Sequence, residues 1–107
     1  MAFRQRMLLT VSDLEAWNET VALVEEINKL CASKGWSQGT LFTRTVGRFN
    51  ELCLEFDFPD LATFQRENEE WLAEPGIGVL MQRIDAVRTE DPGYSELWEE
   101  ATPVPLG

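Results

Sequence analysis

The fold is decided by residues 51–58, which read ELCLEFDF. Side chains of a β-strand point alternately to its two faces, so this stretch has one apolar and one polar face. The apolar face carries Leu52, Leu54, Phe56 and Phe58. The polar face carries Glu51, Cys53, Glu55 and Asp57. We therefore predict a strand that packs its even-numbered residues on a core and presents three acids on the opposite side.

Two further strands and a long helix are predicted before this stretch. Residues 3–11 alternate between apolar and polar side chains, which is typical of a strand with one buried face. Ser12, with Glu15 three positions later, forms a capping-box pattern that opens a helix, and Gly35 ends that helix. Residues 40–48 form the second strand, and residues 47–50 are suited to the hairpin that joins it to the third.

A second helix and a fourth strand are predicted after it. Asp60 is placed to cap the helix, which Pro75 interrupts. The side chains expected to face the core are Leu61, Phe64, Trp71 and Leu72. The side chains expected to face solvent are Arg66, Glu67, Glu69 and Glu70. A short helix from residue 77, a strand near residues 85–90, a turn at 91–93 and one or two helical turns over 95–101 complete the chain.

This order of elements indicates an α+β, ferredoxin-like fold. Such a βαββαβ chain forms an antiparallel sheet with two helices on one face. The 107 residues suit a single domain, 1–107, with residues 91–107 as a C-terminal extension. In this topology the third strand lies centrally and runs antiparallel to the first and the second.

Basic residues on the neighbouring strands are expected to meet the acids of the third. The same alternation sends Arg4 and Arg6 of the first strand to the polar face, together with Arg44 and Arg48 of the second. Pairs of opposite charge across strands contribute roughly 0.2–1 kcal/mol each. The face also carries apolar groups such as Phe42, so it is either a solvated surface or one that a second copy covers.

The charge of the chain excludes several classes of partner. Its 19 acids and 9 bases give a formal net charge of −10, which repels nucleic-acid phosphates and anionic membrane surfaces. No apolar run approaches the ~20 residues of a membrane span. No secretory signal is predicted, so a cytoplasmic location is expected.

The absence of histidine narrows the possible chemistry further. The sequence contains no histidine, which removes Ser-His and Cys-His nucleophile pairs and the usual zinc and haem ligands. Cys31 and Cys53 have no metal-ligand spacing and are expected to be reduced thiols. Neither a dinucleotide fingerprint nor a phosphate-binding loop is present. We therefore predict no metal and no cofactor.

A resemblance to a known family extends this interpretation. Residues 46–68, VGRFNELCLEFDFPDLATFQREN, resemble the corresponding segment of NIPSNAP-like proteins, which has a Gly-x-x-Asn hairpin, an apolar strand and a helix that begins Asp-Leu-Ala. The match is carried by Gly47, Asn50, Leu61, Ala62 and Arg66. The resemblance implies the dimeric α+β-barrel superfamily, to which antibiotic-biosynthesis monooxygenases also belong. It implies a homodimer whose two sheets enclose a cavity, and no common chemistry.

If the polar face lies inside such a barrel, its residues are candidates for a ligand pocket. These candidates are Arg4, Arg6, Phe42, Arg44, Asn50, Glu51, Cys53, Glu55 and Asp57. The structural alternative is an ion-pair network, with Cys53 an inert thiol and Asn50 a turn residue that tolerates left-handed backbone. Monooxygenases of the superfamily use Asn, Trp and Arg, but Asn50, Trp36 and Arg44 cannot be matched to that pattern position by position.

Two functions of different classes follow from this interpretation. The first is a homodimer that binds a small organic molecule between its sheets, with a cofactor-independent monooxygenase-like or cyclase-like enzyme as one form of it. The second is a non-catalytic assembly protein whose charged face only mediates dimerisation. In either case, the C-terminal residues Tyr94, Leu97 and Trp98 are expected to lie at the dimer contact, with Trp98 as the anchor.

Overall fold

The computed structural model describes residues 2–47, 50–87 and 94–106. Its elements in chain order are β1 (Phe3–Thr10), α1 (Leu14–Lys34), β2 (Gly39–Thr43), β3 (Glu51–Phe58), α2 (Leu61–Ala73), α3 (Pro75–Val87) and β4 (Tyr94–Glu99). The four strands form one antiparallel sheet in the order β2-β3-β1-β4. The α+β, ferredoxin-like fold is thereby confirmed, with β3 between β1 and β2, and α3 contains the short helix predicted from residue 77.

The main helices begin and end for local reasons. The α1 helix is capped by Asp13 rather than by the predicted Ser12, because the Asp13 carboxylate accepts a hydrogen bond from the Ala16 backbone N–H at 2.7 Å. Gly35 ends it in the left-handed conformation, at φ 72°, as predicted. The Asp60 carboxylate caps α2 in the same way, accepting from the Thr63 N–H at 2.7 Å.

The core lies on the helix side of the sheet. The even-numbered residues of β3 are all buried there, which confirms their predicted orientation. Leu52 packs in one cluster with Leu23 and Ile27 of α1 and Ile77 and Ile84 of α3, which are at most 2% exposed. The other three residues of that face form a second cluster with Val24 of α1. Burying each of these side chains contributes about 1.5–3 kcal/mol. None of the described helices is long and apolar enough to cross a membrane.

The orientation predicted for α2 is partly wrong. Leu61 and Leu72 are exposed, whereas Glu67, which was expected in solvent, is 6% exposed. Phe64 and Trp71 do face inward and are half-buried. The reason is geometric, since residue 67 falls on the same helical stripe as residues 64 and 71, and its carboxylate finds hydrogen-bond donors there.

The second and fourth strands do not lie where they were predicted. The β2 strand ends at Thr43, and its predicted last residue, Arg48, lies outside the described residues. Residues 85–87 end α3 instead of starting a strand, and the predicted turn at 91–93 lies outside the described residues. The fourth strand is Tyr94–Glu99, within the segment predicted to be an extension containing helical turns. Its alternation is hidden because both of its faces contain polar residues.

Gly39 is required at the start of β2 by close packing. A Cβ atom added there would lie 2.7 Å from Leu54 Cδ1 and 2.9 Å from the Phe56 ring. The Asn28 side chain also bonds both the N–H and the carbonyl of Gly39, at 2.8 and 2.7 Å.

Gly39→Ala is therefore expected to lower the free energy of unfolding by about 1–3 kcal/mol, the usual cost of overpacking a core. The matched control is Gly78→Ala, where no atom lies within 4 Å of the added Cβ. Because alanine is the better helix former, this control is expected to stabilise α3 by up to about 1 kcal/mol. Urea denaturation of both variants measures the difference, and equal changes would show that Gly39 has no packing role.

Candidate functional site

The sheet face that the helices leave uncovered, hereafter the open face, carries the predicted ladder of charges. Arg4 lies opposite Asp57 and Arg6 opposite Glu55 in the register of β1 and β3. Arg4 Nε is 2.8 Å from Asp57 Oδ1, and Arg4 Nη1 is 3.3 Å from Glu55 Oε1. Arg6 Nε donates to Glu55 Oε2 at 2.9 Å. Glu55 is thus held by two arginines, and its side chain is 12% exposed.

A hollow of ≈ 330 Å³ opens at the middle of this face. Six of the predicted pocket candidates line it: Arg6, Phe42, Arg44, Glu51, Cys53 and Glu55. Arg44 lies just beyond β2 and donates to Glu51 Oε2 at 2.7 Å. Tyr94 and Glu96 of β4 complete the lining. The structure therefore gathers most of the predicted candidates in one place, where Arg6 is paired with Glu55 and Arg44 with Glu51.

The three C-terminal candidates are divided between the two faces of β4. Register with β1 sets Trp98 opposite Arg4 and Tyr94 opposite Leu8, on the open face. Leu97 pairs with Gln5 and points to the helix side. The Arg6 guanidinium lies over the Trp98 ring in a cation–π contact, with its Cζ atom 5.7 Å from the ring centroid. All three remain exposed, and their role at a dimer contact stays a prediction.

The thiol of Cys53 is surrounded by charges of both signs. Burial raises its pKa most strongly, and the neighbouring Glu55 raises it further. Arg6 and Arg44 lower the pKa of Cys53, but their effect is smaller and the pKa remains raised. Cys53 is therefore protonated at neutral pH, which suits an inert thiol better than a nucleophile.

Asp57 makes the stability of the sheet depend on pH. The hydrogen bond from Arg4 lowers the pKa of Asp57 below its ordinary value of 3.8. A carboxyl group with a lowered pKa in the folded state stabilises the fold above its unfolded pKa, and this contribution is lost as pH falls through the folded pKa. Melting temperatures from pH 3.8 downward are therefore expected to fall more steeply for the native chain than for Asp57→Asn. Parallel curves would show that this ion pair does not contribute to stability.

A second hollow, hereafter the aromatic cavity, lies on the other side of the sheet beneath α2. It has a volume of ≈ 40 Å³. Its walls are the rings of Trp36, Phe56, Phe58, Phe64 and Trp71, together with Met7. Phe58 and Phe64 meet edge to face, with centroids 5.2 Å apart.

A few polar groups are placed around the aromatic cavity. Glu67 accepts hydrogen bonds from the Ser37 backbone N–H at 2.6 Å and from the Ser37 hydroxyl at 3.0 Å. Asn68 and Gln5 also line the cavity, and the Gln5 amide N–H₂ donates to Ser95 Oγ at 3.3 Å. The cavity thus combines apolar walls with a small number of fixed polar atoms, which is the usual composition of a small-molecule site.

Sequence reasoning missed the aromatic cavity because its walls come from four separate segments. One signal was present: Phe64, Glu67 and Trp71 recur at helical spacing on α2, so the helix stripe includes an acid. A carboxylate on the stripe of a half-buried helix indicates a buried polar contact. The charge of Glu67 considered alone predicts solvent exposure, which the structure contradicts.

Asn50, Trp36 and Arg44 do not form one site. The Trp36 indole lines the aromatic cavity and donates to Glu70 Oε2 at 2.6 Å, whereas Arg44 lies on the open face. Asn50 donates to the Val11 carbonyl at 3.4 Å. No described residue other than glycine has a positive φ, so Asn50 does not use the left-handed backbone that was expected of it. Among the described residues, no three acids or cysteines come together closely enough to hold a metal ion.

Comparison with known proteins supports the fold over almost the whole chain. An uncharacterized NIPSNAP domain protein from Burkholderia xenovorans superimposes with a TM-score of 0.72 at 15% identity, covering 98% of this chain and 99% of the other. This chain therefore shares the fold of that NIPSNAP domain protein. SnoaB, a cofactor-independent oxygenase from Streptomyces nogalater, gives a TM-score of 0.69 at 19% identity and 97% coverage of both chains.

An antibiotic biosynthesis monooxygenase is similar to the same degree, with a TM-score of 0.69, 18% identity and coverage of 94% of this chain and 99% of the other. No protein-family model matches the sequence, and no curated protein has significant similarity to it. Identities this low show a shared fold. The reaction and the ligand must be inferred from the residues of this chain.

Proposed function

We propose that this protein is a homodimer, joined through its open faces, that binds a small, flat and mainly apolar organic molecule in the aromatic cavity. The observation that carries the proposal is the cavity itself, walled by five aromatic rings with Gln5, Glu67 and Asn68 among them. Aromatic walls favour a flat ring, and the polar groups can orient one polar atom on it.

The open face supports the dimeric part of the proposal. Arg4, Arg6 and Arg44 each have a carboxylate partner on this face, so these three guanidinium charges are paired. Exposed apolar groups, including Phe42 and Tyr94, lie on the same surface. A second copy can therefore cover these arginines and the exposed rings without leaving a guanidinium unpaired.

A catalytic role would be cofactor-independent, as it is for the Streptomyces nogalater oxygenase of similar fold. The cavity contains no histidine, because the chain has none. Glu67 is the carboxylate on its wall, and it is the group placed to accept a proton from a bound ligand. We include the predicted cytoplasmic location in the proposal, since both Cys31 and Cys53 are free thiols.

A ligand between the sheets is a second candidate, supported by the hollow of ≈ 330 Å³ on the open face. The third candidate is the non-catalytic assembly protein. It is supported by the ion pairs that already occupy the polar groups of that face.

Binding of 2-naphthol, a neutral flat probe, tests the proposal. Trp36 and Trp71 line the cavity, so binding there is expected to quench tryptophan fluorescence and to raise the melting temperature. A ligand at a hundred times its Kd stabilises a protein by about 2.7 kcal/mol, which is several degrees for a domain of this size. The control is Phe42→Ala, which changes the open face alone and is expected to leave binding unchanged.

The other outcomes decide between the alternatives. Binding that is lost in Phe42→Ala would place the ligand between the sheets. A dimer that binds neither 2-naphthol nor other neutral aromatic compounds would favour the assembly protein.

A further inference from the structure

We propose that α2 is a lid that must swing away from the sheet before a ligand can occupy the aromatic cavity, and that Glu67 is the latch that holds it shut. This inference rests on the proposed ligand site, but the motion of the lid can be measured without any ligand.

The two helices that follow β3 are attached to the domain very differently. Ile77 and Ile84 of α3 are buried in the main core, at 2% exposure each. The only buried residue of α2 is Glu67, and its apolar contacts are made by the half-buried Phe64 and Trp71. Separating α2 from the sheet would therefore withdraw no fully buried apolar side chain of the helix itself, unlike separating α3, so α2 is the helix that can open locally.

The backbone is non-helical at both ends of α2, so each end can act as a hinge. Asp60, which precedes the helix, has extended backbone and follows Pro59. Glu74, which follows it, is also extended, with φ −85° and ψ 115°. The Glu74 side chain is held by Lys34 at 3.3 Å, which fixes this hinge to the end of α1. A rigid helix between two non-helical residues, one of them anchored, can rotate as a unit.

Glu67 and Glu70 of α2 form hydrogen bonds to one short loop, residues 35–38. Glu67 accepts two hydrogen bonds from Ser37, and Glu70 accepts one from the Trp36 indole. Both partners belong to the loop between α1 and β2, which forms one wall of the cavity. A buried carboxylate that loses its donors is strongly destabilised, so Glu67 favours the closed position of the lid.

The size of the closed cavity makes opening necessary. Its volume of ≈ 40 Å³ is room for about three water molecules, at 10–15 Å³ each. A molecule of two fused rings does not fit without movement of the walls. The sheet and α1 are fixed by the core, and the loop is tied to α1 by the Trp36 N–H, which donates to the Cys31 carbonyl at 2.9 Å. We therefore expect α2 to be the wall that moves.

A native thiol reports on the opening. Cys31 is fully buried on α1, beside Trp71 and Glu67, and burial is the main cause of its raised pKa. Swinging α2 outward removes Trp71 and Glu67, two of the groups that cover this thiol. Cys53 is half-buried on the opposite face and is not covered by α2, so it serves as an internal comparison.

The test is the rate at which N-ethylmaleimide labels Cys31 at mildly alkaline pH, followed by peptide mass spectrometry that separates it from Cys53. Glu67→Gln is expected to label Cys31 at least about 10-fold faster, because the opening equilibrium shifts when the latch loses an acceptor. The control Glu69→Gln, at an exposed position of the same helix, is expected to stay within about 2-fold. Ser37→Ala removes a single hydrogen bond and is expected to give a smaller increase, of about 3-fold.

Hydrogen exchange separates local opening from global unfolding. Faster labelling in Glu67→Gln is expected to be accompanied by faster amide exchange in α2 and unchanged exchange in α1. The lid proposal is refuted if amide exchange in α1 becomes faster by the same factor as in α2. It is also refuted if Cys31 is labelled no faster in either Glu67→Gln or Ser37→Ala than in the native chain. Should Glu67→Gln fail to fold, Ser37→Ala alone decides.

The same labelling assay also tests the proposed ligand site, independently of the lid. Saturating 2-naphthol is expected to speed the labelling of Cys31 in the native chain, because its two rings keep α2 displaced from the closed position. A response to the latch variants with no effect of 2-naphthol would support the lid and refute the proposed ligand site. Probe binding with no response to the latch variants would refute the lid and leave the ligand site standing.

Discussion

The Glu55→Arg variant is expected to sediment as a monomer at micromolar concentrations, at which the native chain is expected to be a dimer. Glu55 is bound by Arg4 and Arg6 at 3.3 and 2.9 Å on the open face. The substitution replaces their shared partner by a third guanidinium in the middle of the proposed interface. Like charges brought together at an interface cost several kcal/mol, so we expect the dimer to weaken by at least about 100-fold.

Two controls separate repulsion at the interface from damage to the fold. Glu69→Arg makes the same change of charge on the exposed side of α2 and is expected to leave the dimer intact. The double variant Arg6→Glu with Glu55→Arg restores an opposite-charge pair across the same two strands and is expected to recover much of the affinity. A native chain that sediments as a monomer at neutral pH and at any salt concentration would contradict the role proposed for the open face.

The sheet could be predicted because its central strand obeys a single rule. The alternation in ELCLEFDF assigns every residue of β3 to a face, and burial follows that assignment from Leu52 to Phe58. Once β3 is placed, the register of β1 brings Arg4 and Arg6 to the acids without further assumptions. Cross-strand pairing is local in space and has a fixed period, so the open face can be derived from sequence.

The fourth strand could not be predicted in the same way, because its apolar and polar residues do not alternate between the two faces. On β4, Tyr94, Glu96 and Trp98 face one side and Ser95 and Leu97 the other, so each face mixes apolar and polar groups. Both faces near this edge of the sheet are largely exposed, and neither selects for apolar residues. Its pairing with β1 is made by backbone hydrogen bonds, which leave little trace in side-chain composition.

The aromatic cavity escaped prediction for a different reason. Two strands, a loop and a helix contribute to it, and Phe56, Trp36 and Trp71 are far apart in the chain. Each of these rings is accounted for by ordinary core packing when it is considered alone. The cavity depends on where α2 lies over the sheet, which is set by the contact of Glu67 with Ser37, a pairing of long range in sequence.

The two faces of β3 therefore have separate roles in the proposed function. Its odd-numbered residues form the charged surface that we assign to dimerisation, and Phe56 and Phe58 form the floor of the cavity. A substitution can then be aimed at one role with little effect on the other. Variants of the open face are expected to change assembly, and variants beneath α2 to change binding.

Asn68→Phe is expected to abolish most of the binding of 2-naphthol while leaving the dimer intact. Asn68 lies on α2, is half-buried and lines the aromatic cavity. A phenyl ring at this position would occupy the cavity of ≈ 40 Å³ and compete directly with the ligand ring. We expect the Kd to rise at least about 30-fold, which corresponds to about 2 kcal/mol.

The matched control adds the same ring to the same helix at an exposed position. Gln65→Phe is expected to bind 2-naphthol within about 2-fold of the native chain, because the new ring lies in solvent. Overpacking typically costs about 1–3 kcal/mol, so the melting temperature of Asn68→Phe is recorded alongside its affinity to confirm that it remains folded. Native affinity in a folded Asn68→Phe variant would show that the ligand does not occupy the aromatic cavity. The open face would then be the remaining site, and loss of binding in Phe42→Ala would be the result that places the ligand there.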